Sequence, residues 1–124
     1  MVYLDTHVVI WLYEARLNLL SKEALRVIEQ NDLFVSPMVE LELQFLRETK
    51  RIKKDPSEVI TALFKDINLK ICDQDFQAVI EEAIGQHWTK DPFDRIIVAQ
   101  AALHNNILIT KDETIRQNYS RAVW

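Results

Sequence analysis

Five acidic side chains stand at positions where the sequence offers them a chemical role. Asp5 ends the short apolar run Val2–Leu4 and is followed directly by a second one. Glu42 lies within the apolar-rich segment Val39–Leu46. Asp91 and Asp94 sit three apart ahead of Ile96–Leu103, and Asp112 follows Ile107–Ile109 by three residues. Two carboxylates about 4 Å apart repel by ~1 kcal/mol in bulk water and by ~4 kcal/mol at an effective dielectric near 20. A cluster of such groups must therefore raise some pKa values or bind a cation. No His or Cys set has metal-ligand spacing, because His7, His87, His104 and the lone Cys72 are scattered. Oxygen-only donors suit hard divalent ions such as Mg²⁺ or Mn²⁺. Such ions lower the pKa of bound water and clamp phosphodiester oxygens, so metal-assisted phosphodiester hydrolysis is the natural reaction class. Lys90, Arg95 and Lys111, with the hydroxyls of Thr6 and Thr110, are candidates to contact phosphate.

These acids can act together only if the fold gathers them. Val2–Leu4 reads as a strand ending at Asp5, with Thr6 capping a helix through Leu12. Ser21 opens a second helix to about Asn31, and Leu33–Val35 is a second strand. Ser36-Pro37, Asp55-Pro56 and Asp91-Pro92 each pair an N-cap residue with proline at the first helical position. Glu58 is placed as the capping-box partner of Asp55, and Glu113 as that of Thr110. Ile67–Ile71 alternates as a strand does, Asp73 caps a helix through Ile84, and Ile107–Ile109 is a further strand. Arg121–Trp124 adds an edge strand. Ile96–Leu103 is apolar nearly all round, which predicts a largely buried helix. Strands alternating with helices predict a parallel α/β sheet covered on both faces. Ligands in such sheets bind beyond the carboxyl ends of the strands. That rule brings Asp5, Glu42, Asp94 and Asp112 towards one edge, with Asp91 beside them.

The totals narrow the field. With 124 residues the chain is expected to form one domain, residues 1–124, large enough to fold without disulfides. A single cysteine fits a reducing, cytoplasmic setting. The start MVYLDTHVVIWLYE lacks a basic n-region, and no run approaches a membrane span. A net charge of −4 argues against a general nucleic-acid binder but is compatible with an acidic pocket offset by metal ions. One glycine, Gly85, excludes a glycine-rich phosphate loop.

Plainer roles compete at each position. Asp91 serves as an N-cap whether or not it meets a metal, and Asp94 and Asp112 suit the first turns of helices. Glu42 could sit on a solvated helix face. Trp11, Trp88 and Trp124 read as core or interface residues ahead of base-stacking platforms, and the basic run Lys50–Lys54 reads as a solvated face ahead of an RNA-backbone contact.

Taken together and in order, MVYLDTHVVIW, SPMVELEL, DPFDRIIVAQA and ILITKDE resemble the PIN-domain ribonucleases, and within them the VapC toxins of toxin–antitoxin pairs. The resemblance spans nearly the whole chain and implies a three-layer α/β/α sandwich with a central parallel sheet. It implies a Mg²⁺ or Mn²⁺ site and endoribonuclease activity on RNA such as tRNA or rRNA. It also implies a homodimer and a VapB-type antitoxin that blocks the site. By position, Asp5, Glu42, Asp94 and Asp112 match the four family acids, Asp91 is the extra acid of DPFDR members, and Thr6 matches the hydroxyl residue after the first Asp. The second motif holds both Glu40 and Glu42; Glu42 fits the register, and Glu40 keeps the choice open. Two other readings stand beside this one: a phospho-acceptor receiver-like signalling domain, and a non-catalytic binding module of the same fold.

Overall fold

The strand β1, Val2–Leu4, lies at the centre of the molecule. In the computed structural model, which describes residues 1–124, it pairs in parallel with β2 (Leu33–Val35) on one side and β4 (Ile107–Ile109) on the other. The short strands β3 (Lys70–Ile71) and β5 (Ala122–Val123) close the two edges, giving an all-parallel sheet in the order β3-β2-β1-β4-β5. Val2, Tyr3 and Leu4 are all buried, as a central parallel strand covered on both faces requires. Seven helices cover the sheet: α1 (Thr6–Tyr13), α2 (Lys22–Gln30), α3 (Pro37–Glu48), α4 (Pro56–Ile67), α5 (Phe76–Ile84), α6 (Pro92–Ala102) and α7 (Glu113–Asn118). The expected three-layer α/β/α sandwich is therefore the observed one. No helix is long and apolar enough to cross a membrane.

The strand order removes one of the alternatives. A receiver domain has the order 2-1-3-4-5, with its switch point between strands 1 and 3. Here β1 lies between β2 and β4, so the chain winds outward to β3 and crosses back to β4. The switch point falls between β1 and β4, and the crevice beyond it is the predicted place for a ligand.

Helix-start signals hold where Pro follows the cap. Ser36, Asp55 and Asp91 cap α3, α4 and α6 with proline in the first turn. Three other starts differ by one or two residues from the sequence expectation. Asp5, not Thr6, caps α1, because Thr6 is already helical and donates its backbone N–H to Asp5 at 2.8 Å. Asp75, not Asp73, caps α5, because Cys72 N–H still bonds to Val35 O and keeps the chain extended past β3. Asp112, not Thr110, caps α7: Asp112 accepts from Ile115 N–H, while Thr110 Oγ1 accepts from Asp112 N–H and donates to Asp5. The strand expected over Ile67–Ile71 shrinks to Lys70–Ile71, since α4 runs to Ile67 and ends on Asn68 in the left-handed conformation.

Packing fixes the β1–α1 junction. Leu4, Val8 and Val9 are fully buried, and burying one such side chain contributes about 1.5–3 kcal/mol. Asp5 thus rides on a rigid apolar hinge. Behind Asp94, Ile97–Ala101 of α6 are buried without a break, as the apolar run predicts. A separate small core of Val79, Ala83 and Ala99 joins α5 to α6.

Candidate active site

Asp5, Glu42, Asp91, Asp94 and Asp112 line one cavity of about 430 Å³. They arrive from four separate parts of the chain. Asp5 ends β1, Glu42 sits in the second turn of α3, Asp91 and Asp94 open α6, and Asp112 opens α7. Glu40 is not among the residues that line the cavity, so of the two glutamates it is Glu42 that the fold delivers.

Three of the five acids are N-caps. Asp5 accepts from Thr6 N–H; Asp91 accepts from Phe93 N–H at 2.8 Å and Asp94 N–H at 3.3 Å; Asp112 accepts from Ile115 N–H at 2.9 Å. The amino-terminal ends of α1, α6 and α7 therefore meet at the cavity, and their partial positive charge offsets part of the carboxylate repulsion. In Asp91 and Asp112 a single oxygen does the capping. Oδ2 of each makes no hydrogen bond within the protein, so capping leaves both residues an oxygen to give to a ligand.

Asp5 is the most constrained member. Its Oδ1 accepts from Thr6 N–H, and its Oδ2 accepts from Thr110 Oγ1 at 2.6 Å. Thr6 Oγ1 in turn donates to Glu42 Oε1. Both threonines are wholly buried and have their hydroxyls spent on carboxylates. They orient acids and do not reach phosphate, which corrects the phosphate-contact role considered for Thr6 and Thr110.

The charges remain in tension. Burial raises the Asp5 pKa, and hydrogen bonds from Thr110 and Thr6 pull it back down. Burial also raises that of Glu42, against the bond from Thr6. Asp94 has no such bond. Burial first, then the charges of Asp91, Asp5, Asp112 and Glu42, push it up to about 7. A group of acids that hold one another's protons in this way is short of positive charge.

That shortage is what a divalent cation would relieve, and the donor chemistry fits one: carboxylate oxygens throughout, with no thiolate and only His7 as a nitrogen donor. As placed, no three of these side chains form a closed cage around one point. Mg²⁺ needs none, because it keeps several waters and binds through one or two carboxylates.

Two expected phosphate contacts lie elsewhere. Arg95 is the fourth residue of α6 but turns away from the cavity. Its guanidinium donates to Ala83 O at 3.0 Å and 3.2 Å and to Ile84 O at 3.2 Å. It closes the carboxyl end of α5, where cations satisfy the last carbonyls. Lys90 does not line the cavity either. Lys111 does, as the one ammonium among the five carboxylates. The basic residues Arg51, Lys53 and Lys54 line a different cavity of about 410 Å³ with Ile10, Tyr13 and Val59. It contains a single acid, Glu14, and offers no comparable chemistry.

Trp11, a core or interface residue by sequence pattern, lines the acidic cavity. The available signal was its position four residues after His7, one turn along the same face of α1. His7, also in the lining, is the exposed neighbour of Asp5.

An all-parallel α/β/α sandwich with acids gathered beyond its switch point defines the class. The PIN domain model matches residues 2–120, and the chain belongs to the PIN domain family. A comparison with curated protein sequences returns no match. Among solved structures, the fold is similar to that of VapBC-1 from nontypeable Haemophilus influenzae, at TM-score 0.61 and 20% identity over 100% of this chain and 96% of that one. It is also similar to VapBC2 from Rickettsia felis bound to a DNA fragment from their promoter, at TM-score 0.60 and 17% identity over 99% and 96%.

Proposed function

We propose that this protein is a Mg²⁺- or Mn²⁺-dependent endoribonuclease of the VapC type, hydrolysing RNA phosphodiester bonds in tRNA or rRNA. The observation that carries the reading is the convergence of Asp5, Glu42, Asp94 and Asp112, with Asp91, on one cavity from four separate parts of the chain. PIN domains are typically nucleases that use divalent metal ions, and an acid cavity beyond a parallel sheet suits that chemistry.

Asp5, Asp94 and Asp112, with Glu42 and Asp91, would hold the metal. Once bound it would supply a lowered pKa for water and charge stabilisation at phosphate. The protein's own part is orientation and charge. Thr110 and Thr6 hold Asp5 and Glu42 in fixed rotamers. Asp94, held near 7 by burial and its acidic neighbours, would be ionised by a cation bound beside it and so be available as a ligand. A polyanion would be repelled by five carboxylates facing one lysine, so RNA binding and cation binding are expected to be coupled.

The test is cleavage of total tRNA and rRNA in Mg²⁺ or Mn²⁺ by the wild type and by Asp5→Asn. Cleavage by the wild type alone is the expected result. Equal activity in the two proteins would remove the assignment and favour a non-catalytic binding module, as would a protein that binds neither ion in calorimetry.

The same reading includes a VapB-type antitoxin as partner, a cytoplasmic location and a homodimer. The likeness to structures described as VapBC supports the first. For the dimer, the support is an apolar cleft lined by Met38, Leu41, Phe76 and Ile96, in which Leu41 is 56% and Phe76 69% exposed.

A further inference from the structure

The acidic cavity has an aromatic wall, and nothing in the metal chemistry uses it. Trp11 is half-buried and lines the cavity together with His7 and Lys111. The His7 and Trp11 ring centroids are 6.0 Å apart, and Trp124 meets Trp11 edge-on, also at 6.0 Å. Trp124 and the α1 backbone thus fix the indole in place. Lys111 Nζ lies over the Trp11 ring, 5.9 Å from its centroid. Lys111 is exposed and makes no ion pair in the protein. The arrangement places a flat apolar surface, an exposed ammonium and the carboxylates around a single space.

We infer that Trp11 is a stacking platform for a nucleobase next to the scissile phosphate, and that Lys111 is a lid exchanged for that base. The inference rests on the ribonuclease reading and deepens it by naming what positions the substrate. Bases of single-stranded RNA stack on aromatic side chains. A cation over an indole at an exposed site is held more weakly than a stacked base. An incoming base therefore displaces Lys111 from the ring. Its ammonium is then free to meet the phosphate that accompanies the base. A stack tolerates any base but requires one, and it requires an unpaired one. The platform thus selects single-stranded positions and leaves sequence preference to other contacts.

The experiment measures binding of short oligo(A), oligo(U) and an abasic ribose-phosphate oligomer, with Ca²⁺ replacing Mg²⁺ to hold back turnover. Wild type, Trp11→Ala, Trp11→Phe and Lys111→Ala are compared by fluorescence anisotropy and by intrinsic tryptophan quenching. The wild type is expected to bind the base-bearing oligomers roughly 5-fold or more tightly than the abasic one. Trp11→Ala should abolish that difference, Trp11→Phe should keep most of it while losing the quenching, and Lys111→Ala should change binding of the base-bearing oligomers while leaving the abasic one nearly unaltered, because without a base the ammonium stays over the ring. If Trp11→Ala fails to fold, Trp11→Phe and the abasic comparison still decide. A wild type indifferent to the presence of bases overturns the inference, as does a Trp11→Ala protein that keeps the preference. Either result leaves the ribonuclease reading to the separate cleavage assay, in which Asp5→Asn is the control.

Discussion

Thr110 Oγ1 donates a hydrogen bond of 2.6 Å to Asp5 Oδ2 across a sequence separation of 105 residues. The bond joins the carboxyl ends of β1 and β4, the two strands that flank the switch point. It is the one protein hydrogen bond to the second oxygen of an acid that is only 9% exposed, and it leaves that oxygen a further lone pair. Thr110→Val should therefore leave a buried carboxylate oxygen unpaired, at a cost of about 1–3 kcal/mol. Thr110→Ser should recover most of that loss. Urea titration of the two variants checks the expectation, and equal midpoints would show that the bond carries no stability.

Thr6 presents a different case, because its hydroxyl orients Glu42 and not Asp5. Groups that orient metal ligands typically change metal affinity ~10–100-fold when removed. Thr6→Val should raise the Mg²⁺ concentration for half-maximal cleavage by that order, with kcat at saturating metal much less affected. A parallel fall in kcat at every Mg²⁺ concentration would place Thr6 in a purely structural role.

Asp94 makes the metal-free protein sensitive to pH. Its pKa lies at about 7 in the folded chain against an ordinary 3.8. The folded state then binds more protons than the unfolded state between these values, and stability falls as pH rises through that window. Asp5 and Glu42 are shifted in the same direction and add to the slope. In EDTA, the urea midpoint of the wild type should drop between pH 5 and pH 8, and Asp94→Asn should flatten the drop. Saturating Mg²⁺ should oppose it, since an ion bound only by the folded state stabilises that state. A midpoint that rises over the same range would show that the carboxylates do not share protons in this way.

Arg95 separates a structural cation from a substrate contact. It binds the carbonyls of Ala83 and Ile84 and lies outside the acidic lining. Arg95→Ala should destabilise the chain by about 1–3 kcal/mol with KM for RNA unchanged. An increase in KM at unchanged stability would return the residue to the substrate.

Much of the site was legible in the linear sequence, for reasons of local chemistry. Asp91-Pro92 and Ser36-Pro37 announce helix starts through a side-chain acceptor and a fixed φ, both properties of adjacent residues. The unbroken burial of Ile97–Ala101 was written in its apolar run. The rule for parallel sheets then sent Asp5, Glu42, Asp94 and Asp112 to one edge, and the structure gathers them there. Only the tertiary structure decided how Asp5 and Glu42 are held, because their hydroxyl partners Thr110 and Thr6 are distant from them in sequence. It alone turned Arg95 towards the end of α5, since two side chains in the same turn of α6 face different neighbours. It alone put Trp11 in the cavity wall, because helix periodicity shows that a residue shares a face with His7 but not what that face meets. The sequence determined which groups are ionisable and, where Ser or Asp precedes Pro, where helices begin. The strand order β3-β2-β1-β4-β5 determined which of those groups meet, because packing of β1 between β2 and β4 is a long-range contact that no local signal encodes.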